Sequence, residues 1–313
     1  MSLQSLIIDC DPGVDDAVAL LLAFASPQLD LLAVTTVGGN VAVEKTARNA
    51  RILRHIADRE DVPFHAGAER PLAREPMDAG EFHGVEGLGS LEPYEPGAGL
   101  AEGHGVDAII DLVTSRSRGS VTLAVMGPMT NLALALRKAP HLADQLGPVV
   151  IMGGARSEGG NITASAEFNI WADPDAAAEV FASGCEMIVL GLDATHQVRA
   201  SEDRIAAIEA IGSPSADAAA AMLRFSQDVE RRIVGEDASP LHDPCTVAYV
   251  LRPELFETRP CQVAVETASD LTRGHTAVEF RVAAATARHH WAVRADGQGV
   301  FDLIVETLKG AAR

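Results

Sequence analysis

The stretch from Leu6 to Ala25 constrains the fold more than any other part of the chain. A short apolar strand runs into Asp9 and Asp11, a Pro-Gly turn follows, and Asp15 and Asp16 open an apolar helix. Four carboxylates within eight residues repel one another, and a hard cation or a polyhydroxylated ligand would offset that repulsion. The alternative is a solvated helix start, since Asp is favourable near a positive helix N-terminus. We expect a binding site at this turn.

Strand-like runs alternate with helical runs through most of the 313 residues, which is typical of a parallel sheet covered by helices on both faces. Neither a clean linker nor a repeat of fixed period divides the sequence. We therefore predict an α/β fold with a single domain over residues 1–313 and a mostly parallel, Rossmann-like central sheet. Ligands of such sheets bind beyond the carboxyl ends of the strands, so the site is expected at that edge.

The expected strands and helices alternate along the sequence. Strands are predicted at 6–8, 29–40, 63–66, 121–126, 148–154, 187–192, 261–267, 276–282 and 290–294, and helices after residue 14 and at 44–57, 106–117, 130–138, 174–183, 201–232 and 299–308. Between them, the glycine-rich segment 67–104 is predicted to be irregular. A loop of this length is usually functional or a lid.

The net charge of −19 argues against a nucleic-acid partner, because phosphate contacts need clustered Lys and Arg. The longest uncharged apolar run, residues 17–25, is far shorter than the ~20 residues that span a bilayer. The N-terminal sequence has no signal-peptide pattern. Four cysteines without a CxxC pair are expected to be reduced thiols (Cys10, Cys185, Cys245 and Cys261). We expect a cytoplasmic protein without membrane partners.

Asp11, Asp16 and the distant Asp243 are the candidate metal ligands. They offer only oxygen donors, without thiolates or clustered imidazoles, which suits Ca²⁺ or Mg²⁺ and not zinc. Ca²⁺ accepts 6–8 oxygens, so it would also take a backbone carbonyl and ligand hydroxyls. Taken alone, His242-Asp243-Pro244 is equally explained as a helix N-cap with Pro at the first helical position.

Asn161, Glu167 and Asn169 form a candidate polar clamp in the loop before a predicted helix. Two carboxamides and a carboxylate can bind several hydroxyls at once, as a sugar requires, and Phe168 or Trp171 supplies an apolar face. The alternative is an ordinary surface loop. Two further polar residues are ambiguous on their own, namely Asn40 after a Gly-Gly turn and His83 in the irregular segment.

Several blocks of the sequence together resemble one known family. DCDPGVDDA at 9–17 closely resembles the signature of the inosine–uridine-preferring nucleoside hydrolases, and further blocks follow in the expected order. They are TVGGN (36–40), HGVEGLG (83–89), GPMTNLALAL (127–136), MGG (152–154), AEFNIWADPDAA (166–177) and LHDPCTVA (241–248). The resemblance implies hydrolysis of the N-glycosidic bond of ribonucleosides, of the inosine, uridine and cytidine class, to ribose and free base. It also implies a role in purine and pyrimidine salvage and a homodimer or homotetramer.

The resemblance assigns roles to individual residues. It implies a tightly held Ca²⁺ bound by Asp11, Asp16, Asp243 and the backbone carbonyl of Met126. Asp11 matches the general base for a Ca²⁺-bound water. Ribose contacts are implied for Asp15, Asn40, Asn161, Glu167 and Asn169. The chemistry agrees, because carboxylates around the sugar stabilise an oxocarbenium-like transition state.

The nucleobase end of the site is less well matched. His242 is expected to titrate near neutrality and to protonate the departing base, with His83 as its partner. The helix before the His-Asp-Pro block often carries tyrosines in this family, but residues 222–235 contain none, which leaves Phe225 and Gln227. We predict that Gln227 contacts the substrate. Histidine at both positions resembles the pyrimidine-accepting or nonspecific branch.

Two other functions fit part of the pattern. In a haloacid-dehalogenase-type phosphatase, Asp9 would be the nucleophile and Asp11 the acid with Mg²⁺, but Pro12-Gly13-Val14 lacks the usual hydroxyl residue of that family. A non-catalytic, Ca²⁺-dependent nucleoside- or ribose-binding protein would share every sugar contact. The presence of both Asp11 and His242 argues against it.

Overall fold

The computed structural model describes residues 3–311. Its strands are β1 (Gln4–Cys10), β2 (Leu29–Thr36), β3 (Phe64–Ala66), β4 (Val121–Val125), β5 (Val149–Met152), β6 (Met187–Leu190), β7 (Arg199–Ala200), β8 (Ser239–Pro240), β9 (Phe256–Val265), β10 (Thr276–Glu279) and β11 (His289–Ala295). Its helices are α1 (Val14–Ala25), α2 (Val43–Ile56), α3 (Gly80–His83), α4 (Gly105–Thr114), α5 (Thr130–Lys138), α6 (Leu142–Gln145), α7 (Phe168–Ala172), α8 (Pro174–Ala182), α9 (Leu192–Thr195), α10 (Glu202–Glu209), α11 (Pro214–Ile233), α12 (Pro244–Leu251) and α13 (Gly297–Ala311). A 3-10 turn, Pro253–Leu255, precedes β9.

A mostly parallel sheet forms the centre of the molecule. Its nine strands lie in the order β10-β9-β11-β6-β5-β4-β1-β2-β3. The seven strands from β11 to β3 run parallel to one another, whereas β9 runs antiparallel to β11 and β10 runs antiparallel to β9. β7 and β8 form a separate antiparallel pair. The α/β fold and the mostly parallel central sheet predicted from the sequence are confirmed.

Two apolar cores lie on the two faces of the sheet, because successive side chains of a strand point to opposite sides. Leu6 and Ile8 pack with α1, α11, α12 and α13 on one face, while Ile7 packs with α4, α5 and α8 on the other. α1 is buried almost all round, with Ala17 to Leu22 at most 1% exposed. A helix that is apolar on every side has to lie inside the fold, so α1 holds the acidic turn rigidly at the end of β1.

Most element boundaries follow the prediction, and one long helix is divided. The predicted helix over 201–232 is two helices, α10 and α11, separated at Gly212, where the backbone is left-handed at φ 67°. Ser213 caps α11 by accepting a hydrogen bond from the Ala216 amide, and Pro214 occupies the first turn. A glycine at the helix end followed by Ser-Pro is the usual signal for one helix stopping and another starting.

The segment 67–104 is irregular apart from α3, as predicted. It is attached to α2 by ion pairs and backbone contacts. Glu86 pairs with Lys45 at 2.9 Å and with Arg48 at 2.7 Å, and the Arg54 guanidinium donates to the carbonyls of Ala98 and Gly99 at 3.0 Å. These contacts hold the segment against the body of the protein.

The four cysteines are buried free thiols, as expected for reduced core residues. None of the helices in residues 3–311 combines the length and the apolar character needed to cross a membrane.

Candidate active site

The carboxyl ends of β1, β2, β4 and β5 open into one cavity, at the edge of the sheet where the site is expected. Ten residues singled out from the sequence line it: Asp15, Asn40, His83, Met126, Asn161, Glu167, Phe168, Asn169, His242 and Asp243. These side chains come from distant parts of the chain, and the parallel sheet brings them together because its strand ends share one edge.

The floor of the cavity is acidic. One carboxylate oxygen from each of Asp15, Asp16 and Asp243 lies within 4.8 Å of the others. Burial, together with the negative charge of Asp15, raises the pKa of Asp16 to about 7. Burial and the negative charges of Asp15 and Asp16 raise the pKa of Asp243 well above its ordinary value. A bound cation would supply the missing positive charge and favour the ionised carboxylates.

Asp11 lies beneath this group with one oxygen unsatisfied. Its Oδ2 accepts a hydrogen bond from the Asn40 amide at 2.7 Å, whereas Oδ1 is buried without a partner among the described residues. Burial and the charge of Asp16 raise the pKa of Asp11 well above its ordinary value. A buried carboxylate oxygen without a donor is unfavourable, so this atom fits a cation or a ligand hydroxyl.

Two glycines allow the backbone to approach Asp11 closely. A Cβ atom on Gly39 would lie 2.0 Å from Oδ2 of Asp11, and one on Gly127 would lie 2.6 Å from Oδ1. The turns after β2 and β4 therefore have room for Asp11 only because neither residue carries a side chain.

The turn itself is held by Asp16 and Asn40. Asp16 accepts hydrogen bonds from the amides of Asp11 at 3.2 Å and Gly13 at 2.9 Å, closing the start of α1. The Asn40 carboxamide donates to Asp16 Oδ2 and to the Asp11 carbonyl, both at 3.1 Å. The Gly-Gly-Asn turn after β2 thus fixes the acidic turn after β1.

Asp9 supports the site from inside the sheet. Its Oδ1 accepts hydrogen bonds from Thr35 Oγ1 at 2.6 Å and Asn131 Nδ2 at 2.7 Å. Burial raises the pKa of Asp9 to about 6, although these two hydrogen bonds oppose the shift. Asp9 is fully buried and outside the cavity lining, so it is placed to hold β1, β2 and α5 together.

Glu167 and Asn169 are rigidly placed by backbone contacts. Glu167 Oε1 accepts from the Asn169 amide at 2.9 Å, and Oε2 accepts from the amides of Gly154 at 2.9 Å and Ile170 at 3.2 Å. Burial raises the pKa of Glu167 to about 7. The Asn169 carboxamide donates to the Met126 carbonyl at 2.9 Å. The clamp predicted from the sequence is therefore a pre-organised wall of the cavity.

Asn161 is oriented by the start of α7. Its Oδ1 accepts a hydrogen bond from the Phe168 amide at 2.9 Å. The carboxamide nitrogen, a donor of two hydrogens, is thereby left for a ligand in the cavity.

The two histidines have different hydrogen-bond partners. The Val14 amide donates to Nδ1 of His83 at 3.1 Å, which puts the proton of the neutral ring on Nε2. Nδ1 of His242 lies 2.8 Å from Thr195 Oγ1. Burial lowers the pKa of His242 to about 4, with Asp15 opposing the shift, and it also lowers the pKa of His83. The expectation that His242 titrates near neutrality is corrected: both rings are neutral at pH 7.

Gln227, predicted to contact the substrate, lies outside the cavity lining and is 2% exposed. Its neighbours Ser226, Val229 and Glu230 line the cavity instead. Residues three and four apart share a helix face, whereas adjacent residues do not. The helical period groups Ser226, Val229 and Glu230 on one face of α11. The sequence alone does not show that this face meets the cavity.

Comparisons with known proteins agree with the site. A model of the family described as inosine-uridine preferring nucleoside hydrolase matches residues 6–302. The pyrimidine-specific ribonucleoside hydrolase RihA of Shewanella baltica is 41% identical over 311 residues, covering 98% of this chain and 96% of that protein. The inosine-uridine preferring nucleoside hydrolase of Crithidia fasciculata is 38% identical over 308 residues, covering 98% of both chains.

Among solved structures, the purine-preferring ribonucleoside hydrolase from Gardnerella vaginalis superimposes with a TM-score of 0.92 at 30% identity, over 98% of this chain and 99% of that one. The match of fold and sequence extends over nearly the whole length of the chain. The chain therefore belongs to the inosine-uridine preferring nucleoside hydrolase family, whose members are N-ribohydrolases that act on the N-glycosidic bond of nucleosides.

Proposed function

We propose that this chain hydrolyses ribonucleosides of the inosine, uridine and cytidine class to ribose and free base, with Ca²⁺ as its metal. The observation that carries the proposal is the unsatisfied Oδ1 of Asp11 beside the acidic group of Asp15, Asp16 and Asp243. Asp15 and Asp243 line a cavity whose wall also carries Asn161 and the other side chains proposed to bind hydroxyls, whereas Asp11 and Asp16 are fully buried and do not line it. The reaction consumes water and transfers the ribosyl group to it.

The donor set suits a hard cation. Asp11, Asp16, Asp243 and the Met126 carbonyl would hold it, because all four offer oxygen and calcium sites are built from oxygen ligands. When bound, Ca²⁺ would supply positive charge that polarises a water molecule and orients the ribose hydroxyls. Asp11 would then act as the general base that takes a proton from the attacking water.

The ribose would be held by fixed polar groups around the floor. Asp15 and Asn40 line the cavity beside the acidic turn, while Asn161, Glu167 and Asn169 line it from the other side. Phe168 supplies an apolar surface there. Negative charge around the sugar would stabilise the oxocarbenium-like transition state as the bond to the base breaks.

The departing base would be assisted by the two histidines. His83 has its Nδ1 occupied by the Val14 amide, so its Nε2–H is a fixed donor toward the cavity. His242 would donate from its other ring nitrogen while Thr195 occupies Nδ1. Because both rings are neutral, they would stabilise the leaving base by hydrogen bonding.

Release of ribose tests the proposal directly. Inosine, uridine and cytidine are incubated with the protein without phosphate, and free ribose is measured as reducing sugar. We expect ribose from at least one nucleoside, loss of the activity with EDTA, and better recovery with Ca²⁺ than with Mg²⁺. Absence of ribose from every nucleoside would refute hydrolysis, and binding without turnover would favour a nucleoside-binding protein. Turnover of p-nitrophenyl phosphate would favour a phosphatase.

The biological setting is also a proposal. We propose that residues 1–313 form one hydrolase domain of a cytoplasmic homodimer or homotetramer that serves purine and pyrimidine salvage. Support comes from the family match over residues 6–302 and from the net charge of −19. Analytical ultracentrifugation would test the subunit number, and a monomer would contradict it.

A further inference from the structure

Part of the cavity wall carries none of the residues proposed for the cation or the ribose. It is formed by one face of α11, with Ser226, Val229 and Glu230, and by Ser239 and Pro240 of β8. The other unassigned lining residues, such as Ala79, Phe82 and Ile162, are apolar, so this part of the wall carries the polar side chains that the proposed cation, ribose and histidine contacts do not use. We take it as the side of the cavity that faces the nucleobase. Its polar side chains are two hydroxyls and one carboxylate, and none of them was identified from the sequence.

Glu230 brings a negative charge to this wall. Its side chain is 18% exposed, and its Oε1 lies 3.7 Å from the Arg199 guanidinium. Arg199 also pairs with Glu236, so one positive charge faces two carboxylates and the group remains net negative. At 3.7 Å the contact between Arg199 and Glu230 is longer than a hydrogen bond, so the Glu230 carboxylate keeps its capacity to accept a hydrogen bond from a ligand.

We propose that Glu230 makes this chain prefer nucleosides whose base carries an amino group on the edge remote from the sugar. Cytidine would be preferred over uridine, and adenosine over inosine; the inference rests on the proposed nucleoside hydrolysis. A carboxylate accepts hydrogen bonds from an amino group such as N4 of cytosine. The carbonyl oxygen that replaces this group in uracil and hypoxanthine has only lone pairs to offer and is repelled.

The departure of the base favours the same substrates. A carboxylate beside the leaving group disfavours negative charge developing on it. Cytosine and adenine carry ring nitrogens that accept a proton readily, whereas uracil leaves most easily as an anion. Glu230 therefore stabilises the amino bases both when they bind and when they leave.

The two serines are compatible with this preference. Ser239 Oγ is buried and has no hydrogen-bond partner among the described residues. A hydroxyl both donates and accepts, so Ser226 and Ser239 can serve either class of base and do not discriminate between them. Glu230 is therefore the residue that distinguishes amino bases from oxo bases, because its carboxylate can only accept hydrogen bonds.

The experiment compares kcat/KM for two matched substrate pairs, cytidine with uridine and adenosine with inosine, in the wild-type protein and in Glu230→Gln. The amide keeps the size of the side chain and adds a donor. We expect the wild type to favour the amino member of each pair, and the substitution to lower the amino-to-oxo ratio about tenfold or more, as for loss of a hydrogen bond to a charged group. Glu306→Gln, at an exposed position of α13, is the matched control and should leave both ratios unchanged.

Two results would overturn the inference: a wild-type preference for uridine and inosine, or amino-to-oxo ratios that Glu230→Gln leaves unchanged, including the case in which both members of a pair lose activity equally. If no nucleoside releases ribose, the proposed function fails instead. Calorimetric binding of cytidine and uridine then tests the inference separately. Tighter binding of cytidine by the wild type, lost in Glu230→Gln, would support it, and equal binding of the two would overturn it.

Discussion

Thr195 Oγ1 lies 2.8 Å from Nδ1 of His242. Thr195 is fully buried at the end of α9. Only Gly191 separates α9 from β6, so the hydroxyl of Thr195 is fixed relative to the sheet. The ring of the next residue, His196, lies 5.7 Å from the ring of His242, centre to centre. With Nδ1 occupied, the other ring nitrogen of His242 is left for the cavity. Thr195 is thus a positioning residue for His242.

Thr195→Val removes the hydroxyl and keeps the shape of the side chain. We expect kcat on the natural nucleosides to fall about tenfold, since one hydrogen bond that orients His242 is lost. Turnover of p-nitrophenyl riboside should be unchanged, because its leaving group needs no proton. Thr195→Ser should restore the activity. Equal losses on both substrate types would show that the threonine serves folding alone.

Gly39 and Gly97 form a matched pair for testing the closeness of the backbone to Asp11. A Cβ on Gly39 would lie 2.0 Å from Asp11 Oδ2, whereas one on Gly97 meets nothing within 4 Å. We expect Gly39→Ala to displace the carboxylate and to weaken Ca²⁺ binding and turnover at least tenfold. Gly97→Ala should change the free energy of unfolding by about 1 kcal/mol or less. Isothermal calorimetry with Ca²⁺ and thermal melting measure the two effects, and normal Ca²⁺ binding by Gly39→Ala would contradict the expectation.

The sheet and the acidic turn after β1 could be predicted because their signals are local. β1 is a run of buried apolar residues, α1 follows a Pro-Gly turn, and the strand ends of a parallel sheet necessarily share an edge. The residues that follow the neighbouring strands therefore had to lie close to the carboxylates at and after the end of β1, namely Asp9, Asp11, Asp15 and Asp16. The same local reasoning identified Glu167 and Asn169, whose loop precedes a helix start.

The part of the cavity wall formed by α11 and β8 could not be predicted because its placement depends on packing. Which face of α11 meets the cavity is decided by its contacts with α1 and α10, which bury Ala219 and Met222. Ser239 and Arg199 are brought to the site by β7 and β8, two-residue strands without a pattern of their own. Thr195 ends a helix of only four residues, Leu192–Thr195, and its link to His242 spans 47 positions of sequence. These contacts arise only in the folded chain.

The acidic floor makes stability depend on pH and on the cation. Without metal, burial raises the pKa of Asp16 from 3.8 to about 7, so between these values the folded state binds more protons than the unfolded state. The contribution of Asp16 to stability is therefore full below pH 3.8 and is lost as the pH rises through about 7.

A divalent cation would replace the proton at this cluster of carboxylates. We expect the difference in Tm between Ca²⁺ and EDTA to grow from pH 5 to pH 8 and to vanish in Asp243→Asn. A difference independent of pH would contradict this reading of the cluster.

Asp11 is the residue whose loss should separate binding from turnover. Its Oδ2 accepts a hydrogen bond from the Asn40 amide, and its Oδ1 is buried without a partner among the described residues. Asp11→Ala removes the proposed general base, so kcat should fall about 10³-fold or more, while nucleoside binding persists through Asn161 and the other ribose contacts. Single-turnover kinetics with inosine measure the chemical step, and calorimetry measures the binding of Ca²⁺ and nucleoside. Asp270→Ala, at an exposed loop position, is the control and should be fully active. If Asp11→Ala keeps near-normal turnover, Asp11 is not the base; if it loses nucleoside binding and turnover in parallel, its role is to hold the cation.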